Sequence, residues 1–312
     1  MKHFFFVYWF IPVLLGSNSC TPEPETPTKG NLHLLIAESI APAVIYQVNE
    51  FMSLYRQNGA NITFDLVSSE NAINRFLHDT TRMIFATRPL SPAERETIEI
   101  THGKFLEMTV AYDAVAAVVH PTNPRDRVTV REIRSILMGK STKWELLQSG
   151  QMSKGRVQLF LQDSSDASSY LTTQVLHGAE ISAKSRRVAS SIQLLQEVSK
   201  NPFSIGFVGL SWIDSAKTAI KVLEVASGSN DDADTSFVPP AVSAGKFFSP
   251  HPAYIYQSSY PLKRGIYMYS KSLGGDVAAG FSSFVATTEG QRIFLDHGLV
   301  PGTQPIKLTK SK

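Results

Sequence analysis

From Asn31 onward, short apolar runs alternate with stretches whose apolar residues recur at helical spacing. Leu32-His33-Leu34-Leu35-Ile36-Ala37 is nearly continuous in apolar character, as a strand covered on both faces requires, and Glu38-Ser39 ends it. Over Ala41 to Gln57, Val44, Ile45, Val48, Phe51, Met52 and Tyr55 form one face of a predicted helix that needs a sheet to cover it. Asn58-Gly59 then turns the chain. Asn61 to Val67 alternates as a strand, Ser68-Ser69 opens a helix that buries Ile73, Phe76 and Leu77, and Met83-Ile84-Phe85-Ala86 is a third strand ended by Thr87-Arg88-Pro89. This β-α-β-α-β order predicts a parallel sheet with right-handed crossovers. Ligands of such sheets bind at the carboxyl ends of the strands. Here those ends carry Ser39, Ser68-Ser69 and Thr87-Arg88.

A long β-rich run, Val110 to His120, stops at Pro121. Thr129 and Glu132 have the spacing of a capping box that starts a helix ending at Gly139. A second α/β set follows. It comprises a strand over Val157 to Leu161, a helix from about Ser165 to His177, a helix from Ser191 to Ser199 and a strand over Ile205 to Val208. Ser227 to Ser236 is polar and acidic and reads as an exposed loop. Gly265 to Tyr269 is a strand and Val277 to Thr287 a helix.

The N-terminus changes the picture, because it reads as a processing signal. Lys2-His3 precede an apolar run from Phe4 to Gly16, too short to span a bilayer at about 1.5 Å per residue. Ser17-Asn18-Ser19 then lead to Cys20, the only cysteine, so no internal disulfide can form. Residues 1–19 are expected to be a lipoprotein signal peptide and Cys20 a lipid attachment site, with palmitate as an acyl group. An ordinary cleaved signal with an incidental cysteine is the alternative, since Ser17 and Ser19 stand where common lipoprotein boxes have Leu and Gly or Ala. The Pro-rich, charged stretch to Gly30 makes residues 20–30 a surface tether.

Composition narrows the function classes. The chain has 312 residues, 43% of them hydrophobic, and a net charge of only +3 (30 Lys and Arg against 27 Asp and Glu). The basic residues are dispersed, which argues against a nucleic-acid partner. No Gly-x-Ser-x-Gly, His-Glu-x-x-His or Gly-x-x-x-x-Gly-Lys-Ser/Thr motif occurs, so the chain reads as no enzyme, with no metal site and no cofactor. His251 and His297 read as loop residues. Tyr254, Tyr256, Tyr260, Tyr267 and Tyr269 read as strand and lobe packing, or else as a sugar- or peptide-binding wall.

Several segments, in order, carry a family likeness. They are Tyr112-Asp113-Ala114-Val115 running to Pro121-Thr122-Asn123-Pro124, Ile133 to Trp144, and Asn201-Pro202-Phe203-Ser204-Ile205-Gly206-Phe207-Val208. Tyr260-Pro261-Leu262-Lys263-Arg264-Gly265-Ile266-Tyr267 and Gly298-Leu299-Val300-Pro301 complete the set. In these the chain resembles the PstS-like phosphate-binding proteins of ABC importers, over nearly the whole mature length. The resemblance implies an α/β, two-lobe type II periplasmic-binding-protein fold, each lobe a mostly parallel sheet flanked by helices. Two hinge crossovers would lie near Val110 to Val119 and Tyr254 to Tyr269. Lobe one would hold residues 31–110 and 258–312, and lobe two residues 111–257 with the hinge strands.

The same resemblance implies a monomeric, extracytoplasmic lipoprotein of the cell envelope, anchored to a bacterial membrane, that passes inorganic phosphate or a similar oxyanion to an ABC permease. The implied ligand-binding residues are Ser39, Ser68, Ser69, Thr87, Arg88, Ser164 and Ser165. Ser39, Ser68 and Ser69 serve equally well as helix caps, and Arg88 as a charged fork, a lobe-closing contact or a plain surface charge. One position departs from the family pattern. Gln162 in Leu161-Gln162-Asp163-Ser164-Ser165-Asp166 falls where members commonly run Arg-x-x-x-Ser-Gly-Thr, and Asp163 and Asp166 add negative charge beside the expected anion. Glutamine offers one neutral amide in place of a planar fork of charged donors. Arg88, Lys263 or Arg264 would have to compensate. The alternative is a diverged sensing or interaction module that no longer binds phosphate.

Overall fold

The structure, a computed structural model, describes residues 24–227 and 243–305. The expected signal peptide, Cys20, the start of the expected tether and nearly all of the acidic stretch after Ser227 lie outside the described residues. In chain order the strands are β1 (Gly30–Ala37), β2 (Ala60–Val67), β3 (Met83–Ala86), β4 (Leu106–Val119), β5 (Arg127–Thr129) and β6 (Gln158–Gln162), followed by β7 (Arg186–Val188), β8 (Ser204–Gly209), β9 (Lys221–Val222), β10 (Glu224–Ala226), β11 (Lys263–Ser270) and β12 (Val300–Pro301). The helices are α1 (Ala41–Tyr55), α2 (Ser69–His78), α3 (Pro92–His102), α4 (Val130–Leu137) and α5 (Asp166–Tyr170), followed by α6 (Ser191–Lys200), α7 (Ser211–Ser215), α8 (Pro252–Tyr256), α9 (Val277–Ala286) and α10 (Thr288–Asp296).

β1 pairs in parallel with both β2 and β3, as the alternating order predicts. Its residues Leu34 to Ala37 are completely buried, which explains the continuous apolar run. The main sheet runs β2-β1-β3-β11-β4-β8-β6-β7. β4 is the strand that joins its two ends. Residues 106–114 pair antiparallel with β11, and residues 115–119 pair antiparallel with β8. Beyond β8, β6 and β7 continue in parallel. The apolar run of Val110 to Val119 is therefore buried twice over, once in each half of the sheet.

Helices cover both halves. α1 buries Val44, Val48, Phe51 and Met52, with the Phe51 ring 5.4 Å from that of Phe281 on α9. α6 lies so close on β8 that a Cβ at Gly206 would come within 2.6 Å of Leu194 Cδ2. Trp144 is fully buried and donates its indole N–H to the Phe203 carbonyl at 3.0 Å, so this landmark serves packing. Among the described residues, no helix is long and apolar enough to cross a membrane.

Several elements differ from expectation. α3 and α10 were not foreseen, although Ser91 and Glu94 form a complete capping box around Pro92. The helix expected from Ser165 to His177 is regular only through Tyr170, and Leu171–Val175 continues as a π-turn. There the Thr173 hydroxyl donates to the carbonyls of Ser169 and Tyr170, and such back-bonding competes with the regular ladder. The return crossover expected near Tyr254 begins instead as α8, capped by His251 ahead of Pro252, and becomes a strand only at Lys263. Tyr260 and Tyr269 are buried, and their hydroxyls bond to the Val115 carbonyl and the Leu90 N–H at 3.0 and 3.1 Å.

Candidate functional site

Three strand ends meet at one point. Ser68, in an extended conformation, caps α2 by accepting the Asn71 N–H at 3.2 Å. This leaves the next amide, on Ser69, facing out of the first helical turn, where backbone donors lack intrahelical partners. Ser69 N–H donates to Asp166 Oδ1 at 2.7 Å. The Ser69 hydroxyl accepts the Thr87 N–H at 2.8 Å and lies 3.1 Å from Thr87 Oγ1, which clips the end of β3 to the start of α2. Ser39 follows β1 in a 3-10 turn. Ile40 rather than Ser39 is the N-cap of α1, so the simple capping role is not the one Ser39 takes. Its hydroxyl donates to Asp166 Oδ2 at 3.0 Å and accepts from Arg264 Nη2 at 3.1 Å.

Arg264 is held in place by Asp113. The two are register partners on β11 and β4, and the guanidinium grips Asp113 Oδ2 through Nε at 2.9 Å and Nη2 at 2.6 Å. The other carboxylate oxygen accepts the Leu210 N–H at 3.1 Å, so this buried pair ties together the strands on either side of β4. Gly209, beside it, has no room for a side chain. A Cβ there would lie 2.2 Å from the Ser39 carbonyl and 2.8 Å from Arg264 Nη2. Arg264 Nη1 is buried with no partner among the described residues.

The expected second-lobe donors are placed differently. Ser165 caps α5, accepting the Ser168 N–H and donating to the Ser168 hydroxyl, both at 3.1 Å. Ser164 takes a left-handed backbone, φ +47°, and lines the cavity. Gln162 turns its amide oxygen toward the Ser191 hydroxyl at 3.0 Å. Asp163 is exposed, 3.8 Å from Arg187. Arg88 is bound at 2.8 Å to Glu94 and at 2.7 Å to Glu70, bracing α2 against α3. That bonding holds the Arg88 pKa above its usual value and, despite partial burial, the Glu94 carboxyl down at about 2.

Beside these donors opens a cavity of about 1140 Å³, walled by Ser69, Thr87 and Arg264 on one side and by Ser164, Asp166 and Tyr170 on the other. Lys263 also lines it, with Nζ 4.3 Å above the Tyr112 ring, and burial lowers its pKa. Helix-start N–H groups and hydroxyls in a partly enclosed cleft suit oxyanion binding without covalent chemistry. Among the described residues no group of three His, Cys, Asp or Glu is placed to hold a metal.

The family model described as the PBP superfamily domain matches residues 21–289. The chain belongs to the PBP superfamily. Within that assignment, it is similar to the phosphate-binding protein PstS of Staphylococcus saprophyticus, 23% identical over 86% of this chain and 78% of that protein. It is also 24% identical to PstS of Pseudomonas aeruginosa, over 87% of this chain and 83% of the relative. Among solved structures, the ABC-type phosphate transport receptor of Vibrio cholerae matches with TM-score 0.61 at 14% identity, over 87% of this chain and 99% of that one. The phosphate-binding protein of Stenotrophomonas maltophilia gives 0.62 at 16%, over 87% and 91%. These likenesses establish the type II periplasmic-binding-protein fold expected from the sequence.

Sequence reasoning named Ser39, Ser69 and Thr87, and the structure brings all three together. It missed the Asp113–Arg264 pair and the position of Asp166. A signal for the first was present, because Asp113 is the only charge in the apolar run Val110 to Val119 and a buried charge needs a partner.

Proposed function

We propose that this chain is an extracytoplasmic solute-binding lipoprotein that captures phosphate, or a related tetrahedral oxyanion, for an ABC importer. One observation carries the reading. Ser39 Oγ and the Ser69 N–H converge at 3.0 and 2.7 Å on the two oxygens of a single carboxylate, marking a position suited to an oxyanion. Arg264, whose Nη2 bonds to Ser39 and whose buried Nη1 has no partner among the described residues, adds a charged donor. Three charge-assisted bonds at about 1.5–3 kcal/mol each bracket the roughly 8 kcal/mol of micromolar binding, even without an arginine at Gln162. The PstS names of the relatives support phosphate as the anion.

In this reading residues 31–110 and 258–312 form one lobe and residues 111–257 the other, with the anion held between them and stabilising the closed state. Ser39, Ser69 and Thr87 build the anion position, Ser68 and Arg88 brace it, and Ser164 faces it from the second lobe, where Ser165 serves as the cap of α5. Cys20 carries the lipid, and the protein acts as a monomer at the cell envelope, delivering its ligand to a permease. It is a binding protein rather than an enzyme and needs no cofactor. Calorimetric titration with phosphate, sulfate and molybdate tests this. One saturable site for at least one of them is expected, and silence for all three at millimolar concentration would sink the transport reading.

Asp166 and Gln162 favour a second reading, in which the fold has become an interaction or sensing module without phosphate affinity. Permease and ATPase genes beside this one would favour transport, and their absence the module.

A further inference from the structure

The cleft is bridged by its own side chains. Asp166, the first residue of α5, places its carboxylate on the N-terminus of α2 and on Ser39, 97 and 127 residues away in sequence. A second carboxylate does the reverse. Glu38, at the end of β1, accepts the Ser191 N–H at 3.0 Å and the Ser191 hydroxyl at 2.8 Å at the N-terminus of α6. The indole N–H of Trp212 donates to the Glu38 carbonyl at 2.8 Å and fixes that turn. Each half of the molecule thus offers a helix start, and each start is occupied by a carboxylate from the opposite half.

Resting on the oxyanion reading above, we infer that Asp166 is a built-in occupant of the oxyanion position. It closes the cleft without ligand, and an incoming oxyanion must displace it. Both oxygens of Asp166 use the donors that an anion would need, and its side chain is buried. A carboxylate and a phosphate dianion cannot share one pair of donors, because their like charges repel at close range in a poorly screened site. Glu38 and Ser191 form a second latch outside the anion position, so losing one bridge leaves the other. The chain therefore selects against weakly charged or weakly binding anions: only a ligand that outcompetes a tethered carboxylate gains entry. Its apparent affinity is reduced by the fraction of molecules in which Asp166 is bound.

Amide exchange reads the latch directly. Ser69 and Ser191 are first-turn residues whose N–H groups have no intrahelical partner, so their protection depends on the bridging carboxylate. In the ligand-free full chain, Asp166→Asn and Asp166→Ala should exchange the Ser69 amide faster by about tenfold or more, while Ser191 stays protected. Glu38→Gln should show the opposite pattern. In the same Asp166 variants phosphate should bind about tenfold tighter than in the parent chain. Unchanged Ser69 exchange in both variants would overturn the inference, as would equal or weaker phosphate binding in variants of unaltered circular dichroism. If Ser69 exchange accelerates but neither the parent chain nor any variant binds phosphate at all, the carboxylate bridge stands and the oxyanion reading fails.

Discussion

Replacing Asp113 by Asn removes the countercharge of Arg264 while keeping the side chain's size. The pair is shielded from water, with the Arg264 and Asp113 side chains 2% and 0% exposed. Charge centres about 4 Å apart attract by about 4 kcal/mol at an effective dielectric of about 20. Breaking a buried pair by removing one partner independently suggests a cost of about 3–5 kcal/mol, because the remaining charge is stranded. Asp113→Asn should therefore lose about 3–5 kcal/mol in urea unfolding followed by tryptophan fluorescence. The double change Asp113→Leu with Arg264→Met should recover most of that loss, since apolar replacements of a buried pair are often near neutral. A single-variant loss below about 1 kcal/mol would refute the reasoning, placing the pair in the range of solvent-screened surface bridges.

Other positions give independent tests. Ser39→Ala should weaken anion binding by less than the about 1.5–3 kcal/mol of one charge-assisted bond, because the competing Asp166 carboxylate loses the same donor. Ser165→Ala, which removes only the α5 cap, should instead lower stability by about 1 kcal/mol and leave anion affinity unchanged in calorimetry. Gly209→Ala should hold the Ser39 turn off β8 and lower the melting temperature, because its Cβ would meet the Ser39 carbonyl at 2.2 Å. Glu94 has its pKa lowered from 4.5 to about 2, so its pairing with Arg88 stabilises the fold fully above about pH 4.5 and progressively less as pH falls through 2. The stability difference between the parent chain and Glu94→Gln should be about 1–2 kcal/mol near neutral pH, allowing for solvent screening, and should vanish only once the pH is below the folded-state value of about 2.

The β-α-β-α-β half of the fold was legible because its strands are continuous apolar runs and its turns carry Asn58-Gly59, Ser68-Ser69 and Thr87-Arg88-Pro89. Strand-end logic alone points to Ser39, Ser68-Ser69 and Thr87-Arg88, and of these Ser39, Ser69 and Thr87 are the ones the structure links. What stayed hidden depends on long-range placement. Arg88 follows a strand end and reads as an anion fork, but Glu70 and Glu94 claim it from two other helices. Ser164 and Ser165 look like paired donors, yet Ser165 is used by its own helix cap. Asp166 reads as a local repulsive charge, and only the approach of the two halves shows that it bonds to the Ser39 hydroxyl and the Ser69 N–H.

The central claim is that an oxyanion binds between the two halves, on Ser39 and Ser69. A crystal of the protein soaked in molybdate tests it most directly, because molybdenum scatters anomalously and locates the anion without ambiguity. The account places the molybdenum peak where its oxygens accept from the Ser39 hydroxyl and the Ser69 N–H, with Asp166 turned away from both. A peak elsewhere in the cavity, with Asp166 still bonded to Ser39 and Ser69, would contradict it.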